Sequence, residues 1–346
     1  MAVFDPWRTL RLCVVREFQW TPGGRVLETH KLLWLCRRAA RLVLIGLLTV
    51  LAAPVFASAA PAGPAAVYED PPLDAAHPAS GGGVTFISHG AQINAQVYQP
   101  AGEGPHPTVI LLHGLPGNEQ NLDLARAIQR AGWTVITFHY RGSWGSGGTF
   151  QLTGGCEDAE ALLSQLRLPA TAREWGVDTA RLAIVGHSYG GFVAACAAEA
   201  NPNLLGVGLI TPWDPSYDAR AYRALSTAEA RKAFVAGLSD VNGRLGAVDD
   251  RAVMRQILDG KDQLDLARFA PALATKRVLV VTAQRDDPNS QAIGLLAALR
   301  PSAKALTVRD FNTDHGLNDH RIALARDVLT WLAGLPGAPS EGSPRN

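Results

Sequence analysis

The sequence predicts an α/β fold in which a mostly parallel sheet is covered by helices on both faces. Three observations carry this. Short apolar, β-branched runs alternate with helical periodicity from residue 84 onward; that alternation is the pattern of successive β-α-β units. Several of the runs are apolar at consecutive rather than alternate positions, as strands buried on both faces require. No period of 20–50 residues recurs, so a solenoid or propeller does not account for the spacing.

Taken in order, Val84–His89 and Ala91–Gln99 read as a hairpin around Gly90, and Thr108–Leu112 (TVILL) as a fully covered strand. A helix is expected at 119–131, a strand at Trp133–His139, a helix at 156–167 and a strand at Arg181–Val185. A helix at 189–200 and a strand at Leu204–Ile210 follow. The series resumes with a strand at Val278–Thr282, a helix at 290–299, a strand at Ala305–Val308 and a helix at 319–333. Between these blocks, 213–275 lacks a strand signal and has helical character broken by Asn242-Gly243 and Asp259-Gly260. It reads as a helical cap inserted over the end of the sheet, or as helices packed beside it.

Composition narrows the function classes. Lysine and arginine total 32 against 31 acids, which excludes the dense basic surface of a nucleic-acid binder. Hydrophobic residues at 47% exclude a mostly disordered chain. Charge is unevenly spread, however. Residues 1–41 carry a net of +5 and leave −4 for the remainder. Leu42–Ala59 is an uncharged apolar run ending in Ala57-Ser58-Ala59. A basic stretch, an apolar run and a small-residue terminus are the three parts of an export signal, with cleavage after Ala59. The leader is longer than usual, so either it is atypical or translation starts downstream of Met1. The alternative is a membrane anchor formed by 42–59. Residues 60–82, rich in Pro, Ala and Gly, are expected to be a flexible linker, 83–335 the catalytic domain, and 336–346 a disordered tail.

The chemistry concentrates in Gly186-His187-Ser188-Tyr189-Gly190. This G-x-S-x-G pattern follows an apolar strand and precedes an alanine-rich helix, the context in which a serine is held exposed on a sharp, strained turn. A serine hydroxyl needs a general base, and on such a sheet the order is Ser, then Asp or Glu, then His. Of the nine histidines only His315 and His320 come late enough; His315, in the loop between the last strand and last helix, is the expected base, and His320 a surface or capping residue. The loop after the Val278–Thr282 strand offers Asp286 or Asp287 as the orienting acid, Asp286 being chosen, with Asp214 in reserve. The His113-Gly114-Leu115-Pro116-Gly117 loop should bring the Leu115 N–H to join that of Tyr189 as oxyanion donors.

ILLHGLPGNEQN, ITFHYRGSWGSGG, VGHSYGGFVAA and DFNTDHGLNDHR together resemble the α/β-hydrolase superfamily, nearest its prolyl-oligopeptidase and dienelactone-hydrolase-like branches, over residues 84–334. The resemblance implies the α/β-hydrolase fold, a Ser188–Asp286–His315 triad and an oxyanion hole at Leu115 and Tyr189. The chain departs from prolyl oligopeptidases in having no room for a propeller, since about 20 residues separate the leader from the first strand. The expectation is an exported serine hydrolase of a small carboxyl ester, with a short peptide as the alternative substrate. A catalytically silent binding protein on the same fold is the reading from another class.

No cofactor or metal is expected. Gly142–Gly148 lacks the spacing of a phosphate cradle, and His113 has no accompanying HExxH. Trp144 and Trp213 are candidate pocket residues beside Tyr140 and Phe150, although such aromatics also pack at sheet edges. Cys156 and Cys196 are either a disulfide in an oxidising compartment or two free core thiols.

Overall fold

The computed structural model describes residues 64–339. The expected leader, its cleavage point and the alternative anchor at 42–59 lie outside those residues. Among the described residues no helix is long and apolar enough to cross a membrane.

Eight strands form one sheet in the order β1-β2-β4-β3-β5-β6-β7-β8. β1 (Ser80–Ser88) and β2 (Ala91–Gln99) make the expected hairpin, and β2 runs antiparallel to β4 (Thr134–Phe138). From β4 onward, β3 (His106–Leu112), β5 (Val177–His187), β6 (Gly206–Ile210), β7 (Arg277–Ala283) and β8 (Ala305–Phe311) are all parallel. All seven residues of β3 and all five of β4 and of β6 are buried. Helices on both faces leave no solvated side, so alternation is lost and continuous apolar runs replace it. Each fully buried Val, Leu or Ile contributes about 1.5–3 kcal/mol.

Two cores flank the sheet. α1 (Leu122–Arg130) and α10 (Arg321–Ala333) cover one face, packing Leu124, Ile128, Leu324 and Val328 on Val109, Val185 and Val281. α2 (Gly154–Leu166), α4 (Tyr189–Ala200) and α9 (Ile293–Leu299) cover the other, around Ile110, Ile184 and Val207. α2 and α4 are also joined covalently by a Cys156–Cys196 disulfide, with Cα atoms 5.9 Å apart. α3 (Pro169–Glu174), a six-residue helix begun by Pro169, was not expected from the sequence. β5 starts four residues before the expected strand because Val177 pairs with His106 across a register shift.

The insertion is helical. It holds α5 (Pro215–Ala224), α6 (Ala228–Ala236), α7 (Asp250–Gly260) and α8 (Ala270–Leu273), with a lone bridge at Leu245–Val248. Val253, Ile257, Leu266 and Phe269 join the same core as α2 and α4. Its 243–246 turn faces the 142–148 loop across a cavity of about 340 Å³, and Gln256 accepts from the Leu152 N–H at 2.8 Å. The segment thus reaches the loops at the C-terminal edge of the sheet as well as packing beside it.

Both ends of the described residues make contacts with the domain. Within the expected linker, Ala65–Val67 forms a 3₁₀ turn, Arg130 Nε donates to the Ala66 carbonyl at 2.8 Å, and Ala66 and Val67 pack on the α1–α10 core, while most of 69–80 is exposed. Pro, Ala and Gly composition is compatible with docking when a neighbouring helix supplies the donor. At the other end, Arg181 Nη1 donates to the Gly337 carbonyl at 2.8 Å, and the Ala338 N–H to Leu335. The described part of the expected tail, 336–339, is therefore anchored to β5.

Candidate active site

Ser188 sits between the end of β5 and the first turn of α4, with φ 58° and ψ −122°. For a residue with a side chain this is a strained conformation, costing of order 1–3 kcal/mol, and it persists where the surroundings impose it. They do so here. A Cβ on Gly186 would lie 1.9 Å from the Gly190 carbonyl oxygen, and one on Gly190 would lie 2.4 Å from the Leu112 carbonyl oxygen. Only glycine lets the chain double back at both positions. The turn is also held by hydrogen bonds: the Ser188 N–H donates to Ile210 at 2.9 Å, and its carbonyl accepts from the N–H groups of Gly191 and Trp213.

His315 lies between β8 and α10, and Asp286 in the loop after β7. The sheet brings them together across 29 residues, with His315 Nδ1 2.7 Å from Asp286 Oδ2. A carboxylate there only accepts, so Nδ1 carries a proton, and in the neutral ring Nε2 keeps its lone pair. The other carboxylate oxygen accepts from the Asp287 N–H at 2.7 Å, which fixes the acid's orientation. The Asp286 side chain is 6% exposed and that of His315 is 40% exposed.

The alternatives have other tasks. Asp214 caps α5 through the Ser216 N–H and pairs with Arg220. Asp310 accepts from Thr282 and Gln284, and Asp314 from Asn318. His320 occupies the first flanking position of α10 and contacts Asp319.

A second histidine, unmarked in the sequence reading, supports His315. His187 Nε2 donates to the His315 carbonyl at 3.0 Å, and Thr211 Oγ1 donates to the same oxygen at 3.2 Å. Burial, and next the charge of His315, push His187 down to about 3. It is therefore neutral at physiological pH and locked in one tautomer by the carbonyl. The only signal in the sequence was its position beside the serine. Arg321 latches the far side of the loop, donating to the Gly316 carbonyl, to Asn121 and to both oxygens of Asp123.

Tyr189 follows the serine at the start of α4, and Leu115 lies in the loop whose Gly114 touches it. A Cβ on Gly114 would lie 2.9 Å from Ser188 Cβ, so the 113–117 loop passes directly over it. Tyr189 opens α4, where an N–H has no acceptor within the helix. Among the described residues neither the Tyr189 nor the Leu115 N–H meets an acceptor. His113 is buried beneath the loop, and its Nδ1 lies 2.6 Å from the Gly114 carbonyl oxygen. Burial pushes it down to about 4, the Gly114 hydrogen bond opposing.

The candidate pocket aromatics divide. Trp144 is 41% exposed, lines the 340 Å³ cavity and donates from Nε1 to the Pro116 carbonyl at 2.6 Å. Trp213 is buried and donates to Asp218, and Tyr140 and Phe150 are buried against Tyr189. Among the described residues no three metal-ligating side chains converge.

Comparison with known proteins agrees with this architecture. An esterase of Pyrococcus furiosus superposes with a TM-score of 0.54 at 13% identity, covering 78% of this chain and 98% of its own. An acylaminoacyl peptidase of Pyrococcus horikoshii gives 0.55 at 17% identity, covering 77% of this chain but 43% of its own. An enol-lactonase of Burkholderia xenovorans gives 0.52 at 16% identity, covering 72% and 100%. At such identities the likeness is one of fold. Residues 109–327, well over half of the sequence, match the model of the alpha/beta hydrolase family, and the chain belongs to that family.

Proposed function

We propose that the protein is an exported serine hydrolase that cleaves a carboxyl ester through an acyl-enzyme. The observation that carries this reading is the His315 Nδ1–Asp286 Oδ2 hydrogen bond of 2.7 Å, made by loops after the last two strands on the side of the sheet where Ser188 is strained outward. His315 Nε2 takes the proton from Ser188 Oγ as that oxygen attacks the acyl carbonyl. The tetrahedral oxyanion is held by the Leu115 and Tyr189 N–H groups, and His315 then returns the proton to the departing alkoxide. Water, deprotonated by the same nitrogen, releases the acid and restores Ser188. Asp286 stabilises the imidazolium formed at each step without itself accepting the proton.

Esters are favoured over amides by the likeness to an esterase and a lactonase. The match to 43% of an acylaminoacyl peptidase supports a short acyl-peptide as the second reading. Export is supported by the charge and apolar pattern of 1–59 and by the Cys156–Cys196 bond, since disulfides persist in oxidising compartments.

A fluorophosphonate probe tests the mechanism. Wild type should be labelled and Ser188→Ala should not; labelling of the variant at the wild-type level refutes the serine assignment. An unreactive wild type would favour a silent binding protein. p-Nitrophenyl esters of graded chain length beside aminoacyl-nitroanilides then decide between ester and amide.

A further inference from the structure

The oxyanion side of the site holds a chain of groups that the mechanism above does not use. His113 Nδ1 lies 2.6 Å from the Gly114 carbonyl oxygen, and its Nε2 lies 3.2 Å from His139 Nδ1. A carbonyl can only accept, so His113 must be protonated at Nδ1. Its Nε2 is then an acceptor when the ring is neutral, and His139 must donate from Nδ1. The reverse assignment would set two lone pairs against each other at 2.6 Å. The hydrogen-bond network therefore admits one arrangement of protons, running from His139 through His113 to the Gly114 carbonyl.

That carbonyl belongs to the peptide unit whose N–H is Leu115. A peptide is planar and trans, so its C=O and N–H point in opposite directions. Holding the oxygen toward His113 turns the Leu115 N–H away from it, out of the buried side of the loop, and the preceding residue, Gly114, passes against Ser188. His139 is fixed in turn: its N–H donates to Asn94 at 3.0 Å, and its carbonyl accepts from Ser146 Oγ at 2.7 Å. Two neighbours from the same loop brace the segment. Tyr140 Oη donates to the His113 carbonyl at 2.9 Å and Trp144 Nε1 to that of Pro116.

We propose that His139 is a positioning residue for acyl transfer, which by donating to His113 locks the tautomer that aims the Leu115 N–H at the developing oxyanion. The proposal rests on the serine-hydrolase reading above for its catalytic consequence. His139 itself does not touch substrate. With His139 gone, only the Gly114 carbonyl holds the His113 tautomer, and the Nε2-protonated ring that the His139 donor opposes becomes accessible, which loosens the hold on the peptide plane.

The test compares His139→Phe, which keeps a ring and loses the donor, with His139→Asn, whose side-chain N–H stands near the position of Nδ1. On a p-nitrophenyl ester, His139→Phe should lower kcat about tenfold, less than outright loss of an oxyanion donor. KM should stay within about twofold, and affinity for a boronic acid that mimics the tetrahedral state should weaken in step with kcat. His139→Asn should recover most of both. A merely structural role would instead move KM and kcat together in both variants, with no rescue. Nitrogen-15 NMR of His113 reads the tautomer without turnover: Nδ1 protonated and Nε2 bare in wild type and His139→Asn, and a mixture in His139→Phe. Wild-type kcat in His139→Phe, or an unchanged His113 tautomer, overturns the proposal. Failure of wild type to react with the fluorophosphonate would instead overturn the serine-hydrolase reading, and the NMR comparison would still decide whether His139 sets the tautomer.

Discussion

Two imidazole pairs flank Ser188, and their surroundings are opposite. On one side His315 faces a carboxylate, with two-fifths of its side chain exposed. On the other, His113 is 2% exposed and faces another imidazole. The first environment gives the imidazole a carboxylate acceptor at Nδ1 and leaves the side chain open to solvent. The second penalises taking up a proton, since burial keeps His113 neutral to about pH 4 and protonation would set its Nε2–H against the donor of His139. In the proposed mechanism the same side chain is a proton carrier in one place and a fixed strut in the other. Residue type sets the range of jobs, and the partner and the burial choose among them.

The largest break in this contrast comes from removing the charge on the carrier side. Asp286→Asn should lower kcat about 10⁴-fold with the fold intact, because the amide no longer selects the tautomer with a bare Nε2. Asp287→Asn should remain within about twofold, since its contact with Asp286 is made by the main-chain N–H. Steady-state rates on one ester separate the two; equal losses would mean that either acid can orient His315.

The strut side should show itself in acid. His113 and His187 titrate at about 4 and about 3 when folded, against 6.5 for an unperturbed histidine. Both folded values are depressed, so the unfolded chain binds these protons first. The stabilisation is complete above about pH 6.5 and is lost as pH falls toward those values. Two such groups give a slope of roughly 2 kcal/mol per pH unit between pH 6 and 5. Denaturant melts across that range, with calorimetry in buffers of different ionisation enthalpy, should find about two protons taken up on unfolding. A flat profile would contradict the buried neutral assignment.

Much of this was legible because sheet topology turns chain order into position. Ser188, Asp286 and His315 each follow a strand, so naming the strands named the loops that meet at one edge. Choosing Asp286 over Asp287 rested on less, and the geometry favours it only through a hydrogen bond spanning 29 residues. His139 and His187 were illegible for the same reason: their partners lie 26 and 128 residues away, and nothing local distinguishes a buried strut from a packing histidine. Helix starts were misread where turn chemistry intervened. α9 begins at Ile293, not 290, because Pro288–Ser290 forms a separate 3₁₀ turn. Composition did not mark the few residues at each end that hold on, Ala66 through Arg130 of α1 and Gly337 through Arg181 of β5.

The smallest effect expected is on the latch that keeps the two sides in register. Arg321→Ala removes a forked, partly exposed contact with Asp123 and the hold on Gly316. It should cost about 1 kcal/mol of stability and less than threefold in kcat, because His187 and Thr211 still grip the His315 carbonyl. Thermal melts and steady-state rates measured together check this. A loss as deep as that of Asp286→Asn would mean that the carrier side has no support of its own.

The order in which these parts occur along the chain also has a consequence in time. Leu115, Ser188 and Tyr189 are made first, and 128 residues separate His187 from His315, whose carbonyl it holds. At ordinary elongation rates of about 5–20 residues per second that is a delay on the order of 10 s. The last-made segment, from His315 to Arg321, thus completes the edge that Ser188 and the 113–117 loop begin, and closes against the start of α1 through Asp123.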